Sequence, residues 1–546
     1  MKIDHIHIEN FRSLRNIDIY PNDLCVFVGE NNAGKSNILQ ALNLVLGESW
    51  PTVKSLSEND FFGNNMNNTL LIDIHFKEND KNVERIFFRA GLDDDNLKAE
   101  LKMNFSGNPT EYYVKKEIRE QFGILYIKAI RDLHYHLGQS SWTLMGKIGR
   151  LLNEEFYNEV SQSDKTEVEK LYSTIKSKLS INTFKQLELE LKEALSSQLL
   201  RTEQEVSLDF QHFDPLNYYK TLQLIPKELG EIKDINQLGD GMKNMILLAL
   251  FRAYASTFPG TAIITIEEPE IYLHPQSRRS LYLLFKELSN AGSQIFYSTH
   301  SAEFVDLEYF DDICVVRKEK DGDELYSTSV KQIDMNSFVS KRRMETRLNN
   351  ITEESIRRFL KNISDSETNN AFFSRFIILV EGNTEKWALP IYAKKLGFDF
   401  DKQSIEVVAV RGKSQIETFY TIYNEFNFPI YVIFDGDKGK EKNEDRNLNK
   451  KLTKLLRGVE TDWPETEITG KYAIFEDNIE AEFKEALPFY ERLELSARRL
   501  YGLTKNRHKA IVAKYVADSL DTTDVPDFIK CIITKIEETW SSHYVI

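Results

Sequence analysis

Cysteine is nearly missing from this chain: its 546 residues hold three, Cys25, Cys314 and Cys531, too few and too scattered for a CxxC pair or an even disulfide framework. The expectation is a reducing, cytoplasmic setting. Long apolar runs are missing as well. The longest, such as residues 262–266 and 430–434, have the length of strands and fall well short of the ~20 residues that cross a bilayer. Met1-Lys2-Ile3-Asp4 leads into a strand pattern and not a signal peptide, so no membrane is expected. Basic charge is in deficit, with 70 Lys+Arg against 85 Asp+Glu and a net charge of −15. A surface of that balance argues against gripping nucleic-acid phosphates everywhere. Repeats and low-complexity tracts are absent too. Hydrophobic residues at 41% and charged residues at 28% match ordinary globular usage and exclude a disordered or fibrous chain.

At roughly 150 residues per domain the length implies two to four domains. Residues 1–145 read as mixed α/β: a strand begins at Ile3, Ile6 and Ile8, others follow at 24–28, 70–76, 85–89 and 124–130, and a helix covers 37–46. Residues 146–205 change to charged sequence with Leu and Ile at helical spacing, and no Pro or Gly interrupts 151–200, which predicts a helical insertion. Its Leu-rich face is suited either to pairing two chains or to packing on its own core. The α/β pattern resumes over 206–330, with strands at 262–266 and 294–298. A polar helical linker is expected at 331–370. A second α/β unit occupies 371–490, with strands at 376–380, 405–410 and 430–434, and residues 491–546 read as helical.

Two groups of residues carry chemistry. Gly29-Glu30-Asn31-Asn32-Ala33-Gly34-Lys35-Ser36 is an intact GxxxxGK[ST] between an apolar strand and a helix. There the loop amides and Lys35 cradle phosphates, Ser36 takes Mg²⁺, and Asn37 continues the loop into the helix. Far downstream, Ile263-Ile264-Thr265-Ile266 ends in Glu267 and Glu268. Such acids suit an Mg²⁺ shell (Glu267) and the orientation of an attacking water (Glu268). His300, after a second buried strand, is placed to donate to a γ-phosphate. Gly239-Asp240-Gly241 opens an apolar helix and offers amides to an anion.

The second group lies in the last third. Phe376-Ile377-Ile378-Leu379-Val380 ends in Glu381, with Glu385 four residues on, and Tyr431-Val432-Ile433-Phe434 ends in Asp435-Gly436-Asp437. Oxygen ligands without His or Cys favour Mg²⁺ or Mn²⁺, and such acids repel one another unless cations neutralise them. A metal-assisted attack on a phosphodiester is the matching chemistry. Arg411-Gly412-Lys413-Ser414 follows another strand and is a candidate phosphate loop. Residues 438–457 carry eight basic residues against three acidic ones, a local charge of +5, a candidate track for phosphates.

The opening Ile6-His7-Ile8-Glu9-Asn10-Phe11-Arg12-Ser13, the phosphate loop and Glu267-Glu268-Pro269-Glu270 with Leu273-His274-Pro275 resemble ABC-type ATPases of the SMC and recombination-repair class. That resemblance implies paired heads, with Gly239 to Lys243 of one closing on nucleotide held by the other. The segment lacks the Ser and Gln of LSGGQ, and Glu267 stands where Asp is usual. Val380-Glu381-Gly382-Asn383-Thr384-Glu385 with the Asp-x-Asp resembles the Toprim domain. ATPase, insertion and Toprim in that order, with Tyr126-Ile127-Lys128-Ala129-Ile130-Arg131-Asp132 before the insertion, resemble the OLD-family ATPase–nucleases over nearly the full chain.

The fold class this implies is α/β: an ABC-type ATPase with a helical insertion, then a Toprim domain and a helical C-terminus. The resemblance adds Glu480 as a further metal-binding acid, with Glu476 and Asp477 as rivals, and Lys509 as a late catalytic lysine. It implies ATP and Mg²⁺ or Mn²⁺ as cofactors, and double-stranded DNA as substrate of an endonuclease or nickase gated by ATP. It also implies a homodimer or higher oligomer, and a role in anti-phage defence beside a helicase-like protein or a reverse transcriptase with its retron DNA. The competing readings are a DNA-clamping repair ATPase with a non-catalytic Toprim fold, and a primase or topoisomerase. Intact Glu381, Glu385, Asp435 and Asp437 stand against the first. The lack of a zinc-binding cysteine set and of a catalytic tyrosine domain stands against the second.

Overall fold

A computed structural model describes residues 2–94, 96–129, 132–187, 189–190, 214–228, 231–258, 263–322, 325–346, 350–440, 442–503 and 508–544. Ile130 and Arg131, residue 262, and residues 188 and 191–205 of the expected insertion lie outside the described residues. The first eight strands are β1 (Ile3–Phe11), β2 (Leu14–Ile19), β3 (Leu24–Val28), β4 (Leu70–Phe76), β5 (Val83–Asp93), β6 (Asn96–Phe105), β7 (Asn108–Tyr113) and β8 (Ile124–Ile127). After a minor pair, β9 (Lys227–Glu228) and β10 (Glu231–Ile232), come β11 (Ile263–Glu267), β12 (Gln294–Ser298), β13 (Ile313–Asp321) and β14 (Leu325–Lys331). The last five are β15 (Phe376–Val380), β16 (Ile405–Ala409), β17 (Ile430–Asp435), β18 (Glu467–Ile468) and β19 (Tyr472–Phe475).

These strands build three large sheets. An antiparallel sheet runs β2-β1-β4-β5-β6-β7. Beside it a sheet of order β14-β13-β3-β12-β11-β8 is parallel except for its edge strand β14. The third, β16-β15-β17-β19-β18, is parallel except for β18. In both parallel sheets the candidate site residues follow the carboxyl ends of inner strands. That edge is where open α/β sheets bind ligands.

Continuous apolar runs form β3, β11, β12 and β15 because both faces of those strands are covered; all five residues of each are buried. In β15 the period of two divides the cover. Ile377 and Leu379 join an apolar core continuous with β3 and β12, whereas Phe376, Ile378 and Val380 pack on a core shared with the C-terminal helices Lys509–Ser519 and Asp527–Tyr544. The second and third sheets therefore share one hydrophobic core. Polar hooks reinforce it. Arg317 of β13 donates to the carbonyls of Phe426 (3.0 Å) and Asn427 (2.8 Å), just before β17, and its guanidinium lies 4.1 Å from the centre of the Phe428 ring.

The insertion is helical where it is described, but broken: a helical stretch over 182–187 follows the helices Leu144–Glu159 and Gln162–Leu179. Between those two helices Ser161 caps the second, its Oγ accepting from the Asp164 N–H at 3.2 Å. That second helix buries none of its residues, and Leu171, Ile175 and Leu179 form an exposed stripe at four-residue spacing. Among the described residues no helix is long and apolar enough to cross a membrane. Cys25 and Cys314 are buried and free with sulfurs 3.4 Å apart, and Cys531 is exposed and free.

Ile536 of the last helix is fully buried in the core beneath β15. Ile536→Ala is expected to remove about 2–5 kcal/mol of stability, read as a lower urea midpoint with an unchanged slope.

Candidate functional site

The phosphate loop leaves β3 through two glycine positions that no other residue fills. Gly29 has φ +140°, and a Cβ there would lie 2.1 Å from the carbonyl oxygen of Val316; Gly34 has φ +110°, and a Cβ there would lie 2.2 Å from the Thr328 hydroxyl oxygen. Asn32 adopts a left-handed φ of 65°. Thr328 in turn donates to the Ala33 carbonyl (2.8 Å) and touches the Ser13 hydroxyl (2.7 Å), which accepts from the Asn37 amide (2.8 Å). Arg12 donates to Asp60 at 2.9 Å and contacts Gln40 of the helix Lys35–Leu46. The N-terminal Asn-Phe-Arg-Ser stretch thus buttresses the loop.

Lys35 is buried and its ammonium donates to the carbonyls of Gly29 (2.9 Å) and Glu30 (2.7 Å). Burial drops its pKa to about 8, while Glu268, Glu270 and Glu30 oppose the drop. Glu267, also buried, accepts from the Tyr126 hydroxyl (2.8 Å) and the Ala129 N–H (3.3 Å). Glu268 takes a left-handed φ of 43°, and its N–H donates to the Ser298 carbonyl at 2.9 Å. Strain of this kind in a non-glycine residue collects at functional sites. His300 lies on the adjacent strand end, its pKa lowered to about 4 by burial and by the Lys35 charge, so its imidazole is neutral near pH 7.

Sequence reasoning passed over Tyr126 and Glu270 as site residues. Glu270 accepts from the Thr299 hydroxyl (2.9 Å) and the His300 N–H (2.6 Å) and so fixes the turn that carries His300. Its place in the Glu-Glu-Pro-Glu run was the available signal. Gly239, Asp240 and Gly241 open the helix Asp240–Thr257, with Gly239 at the cap. No hydrogen bond or ion pair among the described residues joins them to the phosphate loop of the same chain. Ser36 begins the loop's own helix and is half-buried.

The second site stands at the carboxyl edge of the third sheet. Glu381 follows β15, Asp435 ends β17, and Glu480 lies in the helix Ile479–Ala486 after β19. Glu385, buried in the first turn of Asn383–Lys395, accepts from the Gly382 N–H at 3.3 Å. Gly436 allows β17 to end against β19: a Cβ there would lie 2.6 Å from the Glu476 carbonyl oxygen. One Asp435 oxygen accepts from the Ile479 N–H at 3.1 Å. One carboxylate oxygen of Glu381 is buried with no hydrogen-bond partner.

The electrostatics follow from this crowding. Burial, and then Glu385, Glu381, Glu480 and Asp437, push the Asp435 carboxyl well above the carboxylate range. Burial and then Glu480 and Glu381 push Glu385 up to about 7. Burial also raises Glu381, against the pull of Lys413. Asp437 goes the other way. Burial would raise it, but hydrogen bonds from Lys413 (2.7 Å) and Lys440 (2.5 Å) hold it below its ordinary value. Lys509 pairs with Glu480 at 3.0 Å. The rivals of Glu480 are engaged elsewhere, Glu476 with Lys438 and Asp477 with the Gly439 N–H at 3.2 Å. Among the described residues no three acids, histidines or cysteines already stand in a coordination geometry. Three acids of raised pKa, one of them with an orphaned, buried carboxylate oxygen, are a donor set that fits a hard divalent cation.

Arg411 and Gly412 border a 380 Å³ cavity with Glu381, Gly382, Asn383 and Ala409, and the Gly412 N–H donates to the Glu381 carbonyl at 2.9 Å. The basic run 438–457 corrects its expectation as an open phosphate track. Arg446 and Lys450 pair with Asp462, Lys454 with Glu460, Arg457 with Glu467 and Lys438 with Glu476. Acids just beyond the run, between 460 and 476, neutralise most of it.

Comparison with known proteins matches two families. One, described as "AAA ATPase domain", matches residues 1–122 and 95–305. The other, described as "Overcoming lysogenization defect protein-like, TOPRIM domain", matches residues 372–437. An "OLD nuclease" of Thermus scotoductus is 27% identical over 453 residues, covering 80% of this chain and 82% of that protein. An "Old nuclease" of Escherichia phage P2 is 23% identical over 493 residues, with 80% and 77% covered. An "Endonuclease GajA" of Bacillus cereus is 25% identical over 234 residues, 39% of this chain and 32% of that one.

A carboxyl whose pKa is higher folded than unfolded favours the folded state below its unfolded pKa, and that stability is lost as pH rises through the folded value. For Glu385 the window runs from 4.5 to about 7. At about 1.4 kcal/mol per unit the loss is on the order of 3–4 kcal/mol. Without divalent metal the melting temperature is expected to fall from pH 5 to pH 7.5. Glu385→Gln is expected to flatten that slope, and a slope unchanged in the variant counts against the assignment.

Proposed function

The chain belongs to the OLD family, an AAA ATPase domain joined to an OLD-like Toprim domain, and on that premise we propose that it is an ATP-binding, metal-dependent DNA endonuclease or nickase whose cleavage responds to nucleotide. The observation that carries the nuclease reading is the group Glu381, Glu385 and Asp435, raised in pKa by burial and mutual repulsion at one sheet edge. Glu381, Glu385, Asp435 and Glu480 would hold Mg²⁺ or Mn²⁺ there, and such an ion would supply Lewis-acid polarisation of a phosphodiester and the positive charge that lets the acids ionise together. Arg411 and the Gly412 loop border the cavity on the side open to a backbone phosphate. Lys509, on Glu480, stands at the rim, where its ammonium meets charge developing on phosphate oxygens.

In the ATPase the amides of Asn31, Asn32, Ala33 and Gly34 with Lys35 take the phosphates, Ser36 and Glu267 hold the Mg²⁺ of the nucleotide, Glu268 orients water, and neutral His300 donates toward the γ-phosphate. Gly239, Asp240 and Gly241, remote from their own loop, serve the nucleotide of a second chain, so the working unit is at least a homodimer. The exposed Leu171, Ile175 and Leu179 stripe is a second surface for pairing. Nucleotide reaches the nuclease through Glu30. Its backbone carbonyl holds Lys35, while its side chain pairs with both Nε and Nη2 of Arg375, the second at 2.9 Å. Arg375 immediately precedes β15, the strand that presents Glu381. A phosphate that draws Lys35 off the loop carbonyls therefore shifts the residue anchoring that strand. The role in anti-phage defence, beside a partner such as a helicase-like protein or a reverse transcriptase with its retron DNA, rests on the family resemblance alone.

Supercoiled plasmid is expected to be nicked or linearised with Mg²⁺ or Mn²⁺, and Asp435→Ala is expected to lower the rate at least about 100-fold. No cleavage under any metal and nucleotide condition would return the chain to the DNA-clamping reading. Lys35→Ala and Arg375→Ala are each expected to cut at a rate that added ATP no longer changes. An Arg375 variant with the parent's full ATP response removes the proposed route.

A further inference from the structure

Five carboxylates meet at the Toprim edge, and the protein brings its own cations to two of them. Lys440 and Lys413 occupy the two oxygens of Asp437, at 2.5 Å on Oδ1 and 2.7 Å on Oδ2, and Lys509 sits on Glu480. Glu381, Glu385 and Asp435 have no ion pair of their own among the described residues.

Lys440 and Lys509 are exposed and free to swing away. Lys413 is not: its side chain is 3% exposed and Asp437's is 4%. It enters from the first turn of the helix Lys413–Glu425, and its other acceptors are Asn449 Oδ1 at 3.3 Å and Asp445 at 4.0 Å. Asn449 is itself fixed, its amide donating to the carbonyls of Gly436 (2.8 Å) and Asp462 (3.0 Å). Asp437 is locked from the other side by a left-handed φ of 55° and by its N–H on the Asp477 carbonyl at 2.8 Å. Turning the Asp437 carboxylate toward a metal would break the buried ammonium's 2.7 Å ion pair and leave it Asp445 at 4.0 Å, an electrostatic penalty.

We propose that Lys413 is a built-in cation that removes Asp437 from the metal ligand set, so that this Toprim site binds one divalent ion, through Glu381, Glu385 and Asp435 with Glu480, and not two. Lys413 is then a positioning residue, and the second acid of the Asp-x-Asp pair is its counter-ion. The three acids left without an ammonium form a ligand set for a single ion. A second ion would have to share Asp437 with Lys413 at contact distance. The proposal rests on the metal-binding reading of the site, and the two fail differently. One bound ion without plasmid cleavage overturns the nuclease reading alone, whereas two bound ions with cleavage overturn this one alone.

The test is titration of the nucleotide-free full-length chain with Mn²⁺, with free ion read by electron paramagnetic resonance. One tight site per chain is expected in the parent. Asp437→Asn is expected to keep that one site, with affinity reduced by about tenfold, the usual effect of losing a group behind a ligand. Lys413→Met, checked for folding by far-ultraviolet circular dichroism, is expected to gain a second site, and Lys413→Arg to return to one. Two sites in the parent, loss of the site in Asp437→Asn, or a folded Lys413→Met that still binds one ion would each overturn the proposal. If Lys413→Met does not fold, the parent and Asp437→Asn decide.

Discussion

Repulsion among Glu381, Glu385 and Asp435 is the constraint around which the C-terminal half of the molecule is built. Buried acids this close are unfavourable unless a cation joins them, so the surrounding fold has to be stiff enough to hold them together without it. Stiffness comes from strands covered on both faces. β15 has an apolar core shared with the ATPase on one side and the C-terminal helices on the other. The turn after β17 adds to it, since Gly436 brings the backbone against the Glu476 carbonyl where any Cβ would collide. Lys413 adds the last element, a fixed positive charge that takes one acid out of the conflict.

The same geometry is used twice with opposite electrostatics. At the phosphate loop one buried ammonium, Lys35, faces Glu268, Glu270 and Glu30, and a polyphosphate anion is the ligand that suits it. At the Toprim edge Glu381, Glu385 and Asp435 have no ion pair among the described residues, and on the proposed reading a divalent cation is the suitable ligand. The two edges share a core, and single residues bridge them: Glu30 to Arg375, and Arg317 to the loop before β17. Each bridge touches the start of a strand whose far end carries a site acid. On the proposed reading a small change at the phosphate loop therefore acts on the positions of Glu381 and Asp435 as rigid elements and not through a chain of soft contacts.

What could be read from the residues was whatever local chemistry dictates. The phosphate loop, the buried strands at 24–28, 294–298 and 376–380 and the acids at their ends are local patterns, and the structure sets them on common sheet edges. Strands β6 and β7 were missed because β7 has no buried residue, so its pattern has no apolar face to detect. The insertion is helical as expected, but neither Pro nor Gly marks its breaks: one helix ends at Glu159, and Ser161 caps the next. The pairing of Lys413 with Asp437 spans 24 residues, and the engagement of the 438–457 bases by acids between 460 and 476 depends on how β18 and β19 fold back. Neither has a periodic signature. Tertiary neighbours, invisible to spacing, decided which acid is a counter-ion and which bases are already paired.

The overall charge can now be placed. Of the net −15, residues 371–546 contribute 29 acids and 26 bases, which leaves the larger share of the deficit on the ATPase and linker. The local +5 of residues 438–457 offered a way for DNA to approach despite that deficit. Ion pairs to Asp462, Glu460, Glu467 and Glu476 consume most of it. A surface whose cations are already paired releases few counter-ions when it meets a phosphate backbone, and so gains little of the salt-dependent affinity that general DNA binding relies on. On the proposed reading the attraction that remains is concentrated where acids of raised pKa would take a divalent ion, since Arg411 and Lys509 at the rim are themselves paired, with Asp365 and Glu480. On the proposed reading, DNA is held at the point of cleavage and through the metal, which ties binding to the same occupancy that permits the chemistry.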